Sequence, residues 1–150
     1  MKLLKVLLGI VILVPLILIA TAYVLNKAVG PVGWAQRDAE SRLRQLMKDP
    51  DSMVVRSSFV VQRASKTGGV EISVCGIVDG HNSFGGYSGG QRFASLSYHY
   101  PELQTFHTPS VEIEDPAQKA QAEKLGRLSA FEKVYWNSRC VDSANLPLQP

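Results

Sequence analysis

The sequence predicts an α+β protein in which an N-terminal transmembrane helix is followed by a helix, a three-stranded antiparallel meander and a C-terminal helix. Three observations predict this fold class. Residues 6–25 form an uncharged apolar run, and apolar residues then recur at helical spacing over residues 34–48. Three stretches within residues 53–100 alternate with a period of two, before a second helical pattern begins at residue 115.

The apolar run at residues 6–25 follows Lys2 and Lys5 and contains no charged side chain. A helix of this length rises about 30 Å, which is the thickness of the hydrocarbon core of a bilayer. We therefore expect a signal anchor within residues 1–26 that contacts the lipid bilayer. Residues 20–22 read Ala-Thr-Ala, the small-x-small spacing of a signal peptidase site, so cleavage after this triplet is the alternative.

The order of charges and the cysteines predict where the chain lies. Lys2 and Lys5 precede the apolar run and favour a cytoplasmic N-terminus. The basic residues that follow the run and favour the opposite orientation are Lys27, Arg37, Arg42 and Arg44. The order of positive, apolar and small residues is that of an export signal. We therefore expect a single-pass protein of the bacterial inner membrane, with its C-terminal domain in the periplasm.

Cys75 and Cys140 are the only cysteines, and both follow the apolar run. An even pair on the exported side predicts a disulfide, because disulfides persist in oxidising compartments. The alternative is a pair of buried reduced thiols.

Residues 27–33 contain two glycines and a proline, which is typical of a linker, and residues 34–150 are long enough for a single domain. A helix is predicted over Trp34–Lys48 and should end before Pro50, because proline disfavours helical geometry in the preceding residue. The apolar face of this helix is expected to consist of Ala35, Ala39, Leu43, Leu46 and Met47.

Three strands are predicted at residues 53–63, 70–78 and 93–100, and the turns between them favour an antiparallel meander. Within each strand by itself, a set of residues is expected to share one face: Met53, Val55, Phe59 and Val61 in the first strand, Val70, Ile72, Val74 and Val78 in the second, and Ala94, Leu96, Tyr98 and Tyr100 in the third. Cys75 has the opposite parity in the second strand. The stretch through Pro101 and Pro109 is expected to be irregular.

A second helix is predicted from Asp115, an N-cap residue followed by proline, to about Asn137. Its inward stripe is expected to be Ala117, Ala120, Leu125, Leu128, Phe131 and Tyr135. The order of helix, strands and helix predicts one α+β domain whose sheet is covered by at least one helix.

The charge of the chain argues against nucleic-acid binding. The net charge is +3, but two of the sixteen basic residues, Lys2 and Lys5, precede the apolar run. The remaining fourteen basic residues are nearly balanced by thirteen acidic residues. The composition therefore indicates no concentrated basic surface that could displace counterions from phosphates.

The connection between the second and third strands is rich in glycine. Five glycines fall within residues 80–90, together with Phe84 and Tyr87. This composition predicts a folded loop of defined shape. The two aromatic residues have two interpretations, since they either anchor the loop to the core or present a contact surface. The candidate binding residues are Asn82, Ser83, Phe84, Tyr87 and Arg92.

No catalytic or metal-ligating pattern stands out. Asp79, His81 and Ser83 alternate along the chain, but closeness in sequence does not create the geometry of a catalytic triad. His81, His99 and His107 lack the tight spacing of metal ligands. The loop also lacks the Gly-Lys-Ser/Thr ending of a phosphate loop, and the cysteines are too far apart for a redox motif. We therefore expect no metal, no cofactor and no catalytic residue.

Three blocks carry a resemblance to a known group of proteins. They are DPDS at residues 49–52, VCGIV at residues 74–78, and NSFGGY at residues 82–87 followed by Gly89. Over residues 43–93 the chain resembles small uncharacterised bacterial proteins that are exported or membrane-anchored. It departs from them at residues 80–81, where the group more often has a small residue and a lysine. The resemblance implies a fold and a location but supplies no catalytic residue.

These observations predict a membrane-anchored periplasmic protein-interaction module that is not an enzyme. Its partner is expected to be an unidentified envelope protein, as for a secretion accessory, an effector-immunity protein or a phage-exclusion factor. The alternative is a small envelope hydrolase that uses His81 as a base. A structural protein that oligomerises through the apolar run is weakly supported, because Leu13 stands four residues after Gly9 where a small residue would be needed.

Overall fold

The computed structural model describes the backbone of residues 2–150 and the side chains of residues 11, 13–24 and 29–150. The chain divides into two compact units, Met1–Gly30 and Pro31–Pro150. The backbone is helical over Lys2–Leu46 (α1) except at Gly30, whose φ of 66° and ψ of 179° separate two helices. The predicted linker is therefore helical on both sides of Gly30.

The residues that the structure describes do not show the predicted transmembrane helix. Among the described residues, no single helix is both long and apolar enough to cross a membrane. Leu13–Val24 and Val29–Leu46 meet the length and apolarity of a span only when taken together, as a broken pair. The fold-class prediction is corrected on this point. The side chains of residues 6–10, 12 and 25, which belong to the apolar run, lie outside the described part.

The second unit contains one antiparallel sheet of four strands in the order β1-β2-β3-β4. The strands are Val54–Ala64 (β1), Val70–Asp79 (β2), Gln91–Tyr100 (β3) and Thr105–Ile113 (β4), and a 3-10 turn at Pro50–Ser52 precedes them. The predicted three-stranded meander is therefore wrong. The missed strand, β4, contains Pro109 at an irregularity of the β3–β4 register. Proline is tolerated there because β4 is an edge strand.

The second part of α1 packs on one face of the sheet, which we call the inner face. Ala35, Ala39 and Leu43 are buried as predicted, whereas Leu46 is 57% exposed. The core between helix and sheet consists of Ala35, Ala39, Leu43, Met53, Ile72, Val74, Val78, Phe93 and Val111. The inward parity predicted for β2 is thus confirmed.

The opposite, outer face carries a smaller buried cluster around the Cys75–Cys140 disulfide, whose Cα atoms are 5.8 Å apart. Phe59 packs against this cluster and not against the inner core. The prediction for Phe59 and Val61 fails because the β1–β2 register shifts between Val55 and Ser57. One extra residue in a strand transfers every later side chain to the other face.

The predicted long C-terminal helix is two separate helical segments. Asp115 caps the first of them (α2, Pro116–Lys124) as expected, and its carboxylate accepts hydrogen bonds from the amides of Ala117 and Gln118. The helix ends because Gly126 takes a φ of 60°, which favours glycine. Of the expected stripe, Ala117, Ala120 and Leu125 are exposed.

The chain resumes as a π-helix, Phe131–Trp136, and continues as a short α-helix, Asn137–Arg139 (α3). We call these two together the C-terminal helical segment. Phe131 is buried in the outer cluster, with Tyr135 and Trp136 packed against it.

Candidate functional site

The glycine-rich loop, residues 80–90, joins β2 to β3 at one end of the sheet. Its two ends are held together by an isolated bridge between His81 and Tyr87 and by the Ser88 amide, which donates to the Gly80 carbonyl. At Gly90, φ is 87° and an added Cβ would lie 2.7 Å from the side chain of Ile77. Only glycine fits such a position without strain. The loop therefore has the defined shape that its composition predicts.

Asp79 organises the base of the glycine-rich loop. Its buried carboxylate accepts hydrogen bonds from the Gly80 amide at 2.8 Å, the Ser88 amide at 3.0 Å and the Ser88 hydroxyl at 3.1 Å. Arg56 donates to the other carboxylate oxygen at 2.9 Å. Burial opposes ionisation, but the hydrogen bonds from Arg56, Gly80 and Ser88 outweigh it and lower the pKa of Asp79.

The tip of the loop is a small turn closed by Asn82. The Asn82 amide donates to the Gly86 carbonyl at 2.8 Å, and the Asn82 side-chain oxygen accepts from the amides of Phe84 and Gly86. Such Asx hydrogen bonds replace those that a regular element would supply. Phe84 projects from this turn with 97% of its surface exposed. Of the two interpretations of Phe84, anchoring to the core does not apply.

Tyr87 lies between a histidine and an arginine. Its ring meets the His81 ring edge to face, with centroids 4.6 Å apart, and the Arg56 guanidinium lies 5.0 Å from its centroid. His81 is fixed in turn, because its amide donates to the Ser52 hydroxyl at 2.8 Å and its Nδ1 lies 3.2 Å from a carboxylate oxygen of Asp49. Tyr87 remains 47% exposed, so it is both anchored and accessible.

The three polar residues that alternate in this region have separate partners. The Asp79 carboxylate binds Arg56, His81 faces Asp49, and the Ser83 hydroxyl accepts a hydrogen bond of 3.0 Å from the Lys48 ammonium group. The fold therefore does not assemble them into a nucleophile, a base and an orienting acid. It places a lysine directly beside the loop tip instead.

Arg92 makes its hydrogen bonds inside the domain. It donates to both carboxylate oxygens of Glu114 and to Glu132, and its guanidinium lies 5.3 Å from the Trp136 ring. Burial disfavours the charged guanidinium, but the two carboxylates raise the pKa of Arg92. Burial likewise opposes ionisation of Glu132, yet hydrogen bonds from Ser129 and Arg92 lower its pKa. We therefore leave Arg92 out of the contact surface.

The three histidines lie in different surroundings. His99 meets the Trp34 ring at 5.9 Å, and His107 stacks on Tyr98 at 5.3 Å. Within the part of the chain that the structure describes, no group of three histidine, cysteine, aspartate or glutamate side chains is arranged to hold a metal ion.

Lys48, Asp49 and Arg56 are the site residues that sequence reasoning missed. Lys48 and Asp49 belong to the segment between α1 and β1, and Arg56 lies at the bulge of β1. The DPDS block was the one sequence feature that pointed to this part of the site. Its residues Asp49 and Ser52 contact His81, which lies about thirty positions later in the sequence. Nothing in the spacing of Lys48 or Arg56 predicted that they would reach the loop.

The fold and site define a disulfide-bonded α+β domain with an ordered, exposed aromatic loop. No family model, no curated protein and no solved structure matches this chain. The resemblance over residues 43–93 therefore stays a prediction, and function is argued from the geometry of the loop.

Proposed function

We propose that this chain is a periplasmic protein-interaction module, held at the bacterial inner membrane by lipid contact of residues 6–25. It is not an enzyme on this proposal, and it acts on another envelope protein. A secretion accessory, an effector-immunity protein and a phage-exclusion factor are the roles that we consider. The contact surface is the tip of the glycine-rich loop: Asn82, Ser83, Phe84 and Tyr87.

The exposure of Phe84 is the observation that carries this proposal. Phenylalanine is usually among the more buried residues, and burying it in a partner would contribute about 1.5–3 kcal/mol. The turn beneath Phe84 is closed by Asn82, so little ordering entropy would be lost on binding. A rigid turn that presents one large apolar side chain has the character of an interface hot spot.

The surroundings of Phe84 support an interface with a protein. Tyr87 adds a half-exposed aromatic ring with a hydroxyl group, and Lys48 contributes a cation at Ser83. Aromatic residues are enriched at protein interfaces, and charges at the rim guide the encounter between partners.

The disulfide and the order of basic, apolar and small residues in the N-terminal segment support a periplasmic location. Disulfides are rare in the reducing cytosol, so the Cys75–Cys140 bond favours an exported domain. Mass measurement of the mature N-terminus separates the two fates of residues 1–26. We expect the intact N-terminus, and a protein that begins after residue 22 would contradict retention by the lipid contact.

Phe84→Ala is the direct test of the contact surface. We expect an envelope pull-down with this variant to recover the partner at about a tenth of the wild-type level or less, with unchanged circular dichroism. Leu146→Ala is the matched control, since Leu146 is also an exposed apolar side chain outside the loop. Equal recovery by the wild type and Phe84→Ala would contradict the proposal.

A hydrolase that uses His81 is the second candidate, and the contact between His81 and Asp49 is the observation that favours it. A carboxylate beside Nδ1 is how a catalytic base is oriented. The nearby Ser52 hydroxyl accepts from the His81 amide and donates to the Asp49 carbonyl, and the Ser83 hydroxyl accepts from Lys48, so neither of these bonds is made to the His81 ring. If hydrolysis is the function, His81→Ala should abolish the cellular phenotype of the protein, and an unchanged phenotype would end this alternative.

A further inference from the structure

We propose that one partner of the loop is a second copy of this chain, whose Phe84 binding pocket lies at the opposite end of the sheet. This inference rests on the proposed function, because it assigns an occupant to the same contact surface. Two features of one molecule, an exposed aromatic side chain and a pocket with an apolar lining, are complementary in polarity, and the charges beside them are opposite.

The pocket lies between the turn that follows β1 and the turn that follows β3, and its volume is about 350 Å³. Val70, the Tyr100 ring, Pro101 and Leu103 supply an apolar lining. The Tyr100 hydroxyl lies 2.9 Å from the Thr67 hydroxyl, which ties the two turns together. The volume is within the range of pockets that bind small ligands, and a phenyl ring is smaller than most such ligands.

Phe84 cannot reach the pocket of its own chain. β2 runs from Val70, in the wall of the pocket, to Asp79, at the base of the glycine-rich loop. Nine steps of about 3.3 Å separate these ends by about 30 Å. Any insertion of Phe84 into this pocket must therefore join two molecules.

Charge complementarity favours the same pairing. Lys48 donates a hydrogen bond to Ser83, directly beside Phe84, and Glu102 lines the pocket. Insertion of Phe84 would bring a cation and an anion together at the rim, where such pairs guide orientation and association. The two contacting surfaces differ, so the interface is heterologous and links molecules head to tail into a ring or an open chain.

Site-specific photocrosslinking tests the contact in the full-length protein. With Phe84 replaced by benzoyl-phenylalanine, illumination of cells should give crosslinked dimers whose linked peptide contains residues 67–70 or 100–103. The same replacement at Leu125, which is 63% exposed and directly follows α2, is the matched control and should not link to this pocket. Crosslinks from position 84 to any other part of a second copy would overturn the inference.

Complementation provides a second test by sedimentation of the full chain in nonionic detergent. Phe84→Ala removes the inserted side chain, and Leu103→Asp places a charge at a rim position that is 71% exposed. We expect each variant alone to associate at least tenfold more weakly than the wild type. Mixed one to one, the two should form dimers but no larger species, because only one intact pair of surfaces remains. A mixture that stays monomeric would overturn the inference.

The charge pair adds a separate test. Lys48→Glu and Glu102→Lys should each weaken association, because each puts like charges at the contact. A mixture of the two variants should recover association, because every contact between unlike variants then pairs a lysine with a glutamate. Failure of this recovery would overturn the predicted rim pairing.

Failure of the inference and failure of the proposed function are distinguishable. A monomeric wild type whose envelope partner is still lost in Phe84→Ala refutes self-association alone, whereas a Phe84→Ala variant that changes neither readout refutes both.

Discussion

Asp79 couples the conformation of the glycine-rich loop to the stability of the sheet. Its buried carboxylate receives hydrogen bonds from both ends of the loop, at Gly80 and Ser88, and from Arg56 on the neighbouring strand. A buried carboxylate is tolerated only when it is hydrogen-bonded, so the loop closes around it. The position in space of Phe84 therefore depends on an acid that makes no contact with it.

Asp79→Asn should reduce the free energy of unfolding by about 1–3 kcal/mol, as expected when buried hydrogen-bond donors lose a charged acceptor. The amide would also present an N–H group towards a donor. Urea unfolding followed by circular dichroism measures this loss. Asp51→Asn, at an exposed carboxylate just before β1, is the matched control and should change stability by less than about 0.5 kcal/mol.

The same pair of proteins tests the pH dependence. The pKa of Asp79 is lowered in the folded state, so its stabilising effect is complete above the unfolded pKa of about 3.9. That effect is lost as the pH falls through the folded pKa. The difference in unfolding free energy between the wild type and Asp79→Asn should therefore narrow below about pH 4. A difference that stays constant down to pH 3 would show that Asp79 does not act through its charge.

At the scale of single residues, the sequence predicted the loop and its aromatic residues but not the distant residues that contact the loop. Five glycines and two aromatics within eleven positions indicated a shaped loop, and that prediction is confirmed. Its anchors, Lys48, Asp49 and Arg56, lie at least twenty positions away in sequence. Such pairings depend on tertiary structure, which periodicity within a single element does not encode.

Irregularities within the elements decided where the predicted fold failed. Period-two alternation located β1, β2 and β3 to within two residues at every end. It assigned Phe59 to the wrong face because the bulge between Val55 and Ser57 reverses the parity. It missed β4 because Pro109 suggested an irregular stretch, although an edge strand accommodates proline.

The bulge of β1 is matched by a close approach at Gly76 on β2. A Cβ added to Gly76 would lie 2.0 Å from the Ser57 carbonyl oxygen, a backbone atom that cannot move alone. Gly76→Ala should therefore destabilise the domain by about 3 kcal/mol or more, as overpacking in a core does at its upper range. Urea unfolding is the measurement.

Gly86→Ala is the control for Gly76→Ala. The nearest atom to an added Cβ at Gly86 lies 3.9 Å away, on the Asn82 side chain, and the position does not require a positive φ. This variant should stay within about 0.5 kcal/mol of the wild type. Equal stability of the two alanine variants would contradict the register of β1 against β2.

At the scale of the whole domain, one disulfide crosslinks the sheet to the end of the C-terminal helical segment. The helix α2 has no buried residue, so the polypeptide between β4 and the C-terminal helical segment adds little to the core. The segment is held on the outer face by Phe131, by the Cys75–Cys140 disulfide, and by Arg63, which donates to the carbonyl oxygens of Ser138 and Val141. The disulfide is thus expected to hold the fold together over a sequence separation of 65 residues.

Cys75→Ala/Cys140→Ala should reduce the free energy of unfolding by about 4 kcal/mol, because the unfolded chain regains the conformational entropy that closing a loop of this length removes. A domain of ordinary stability, about 5–15 kcal/mol, would become marginal or fail to stay folded at 37 °C. Urea unfolding measures the loss, and limited proteolysis should show earlier cleavage in residues 125–130, where the freed segment begins. The matched redox measurement is thiol labelling of the denatured wild-type protein isolated without reductant, which should label no cysteine. Two labelled thiols would show that the cysteines are reduced in the cell, and the disulfide would then no longer support an exported domain.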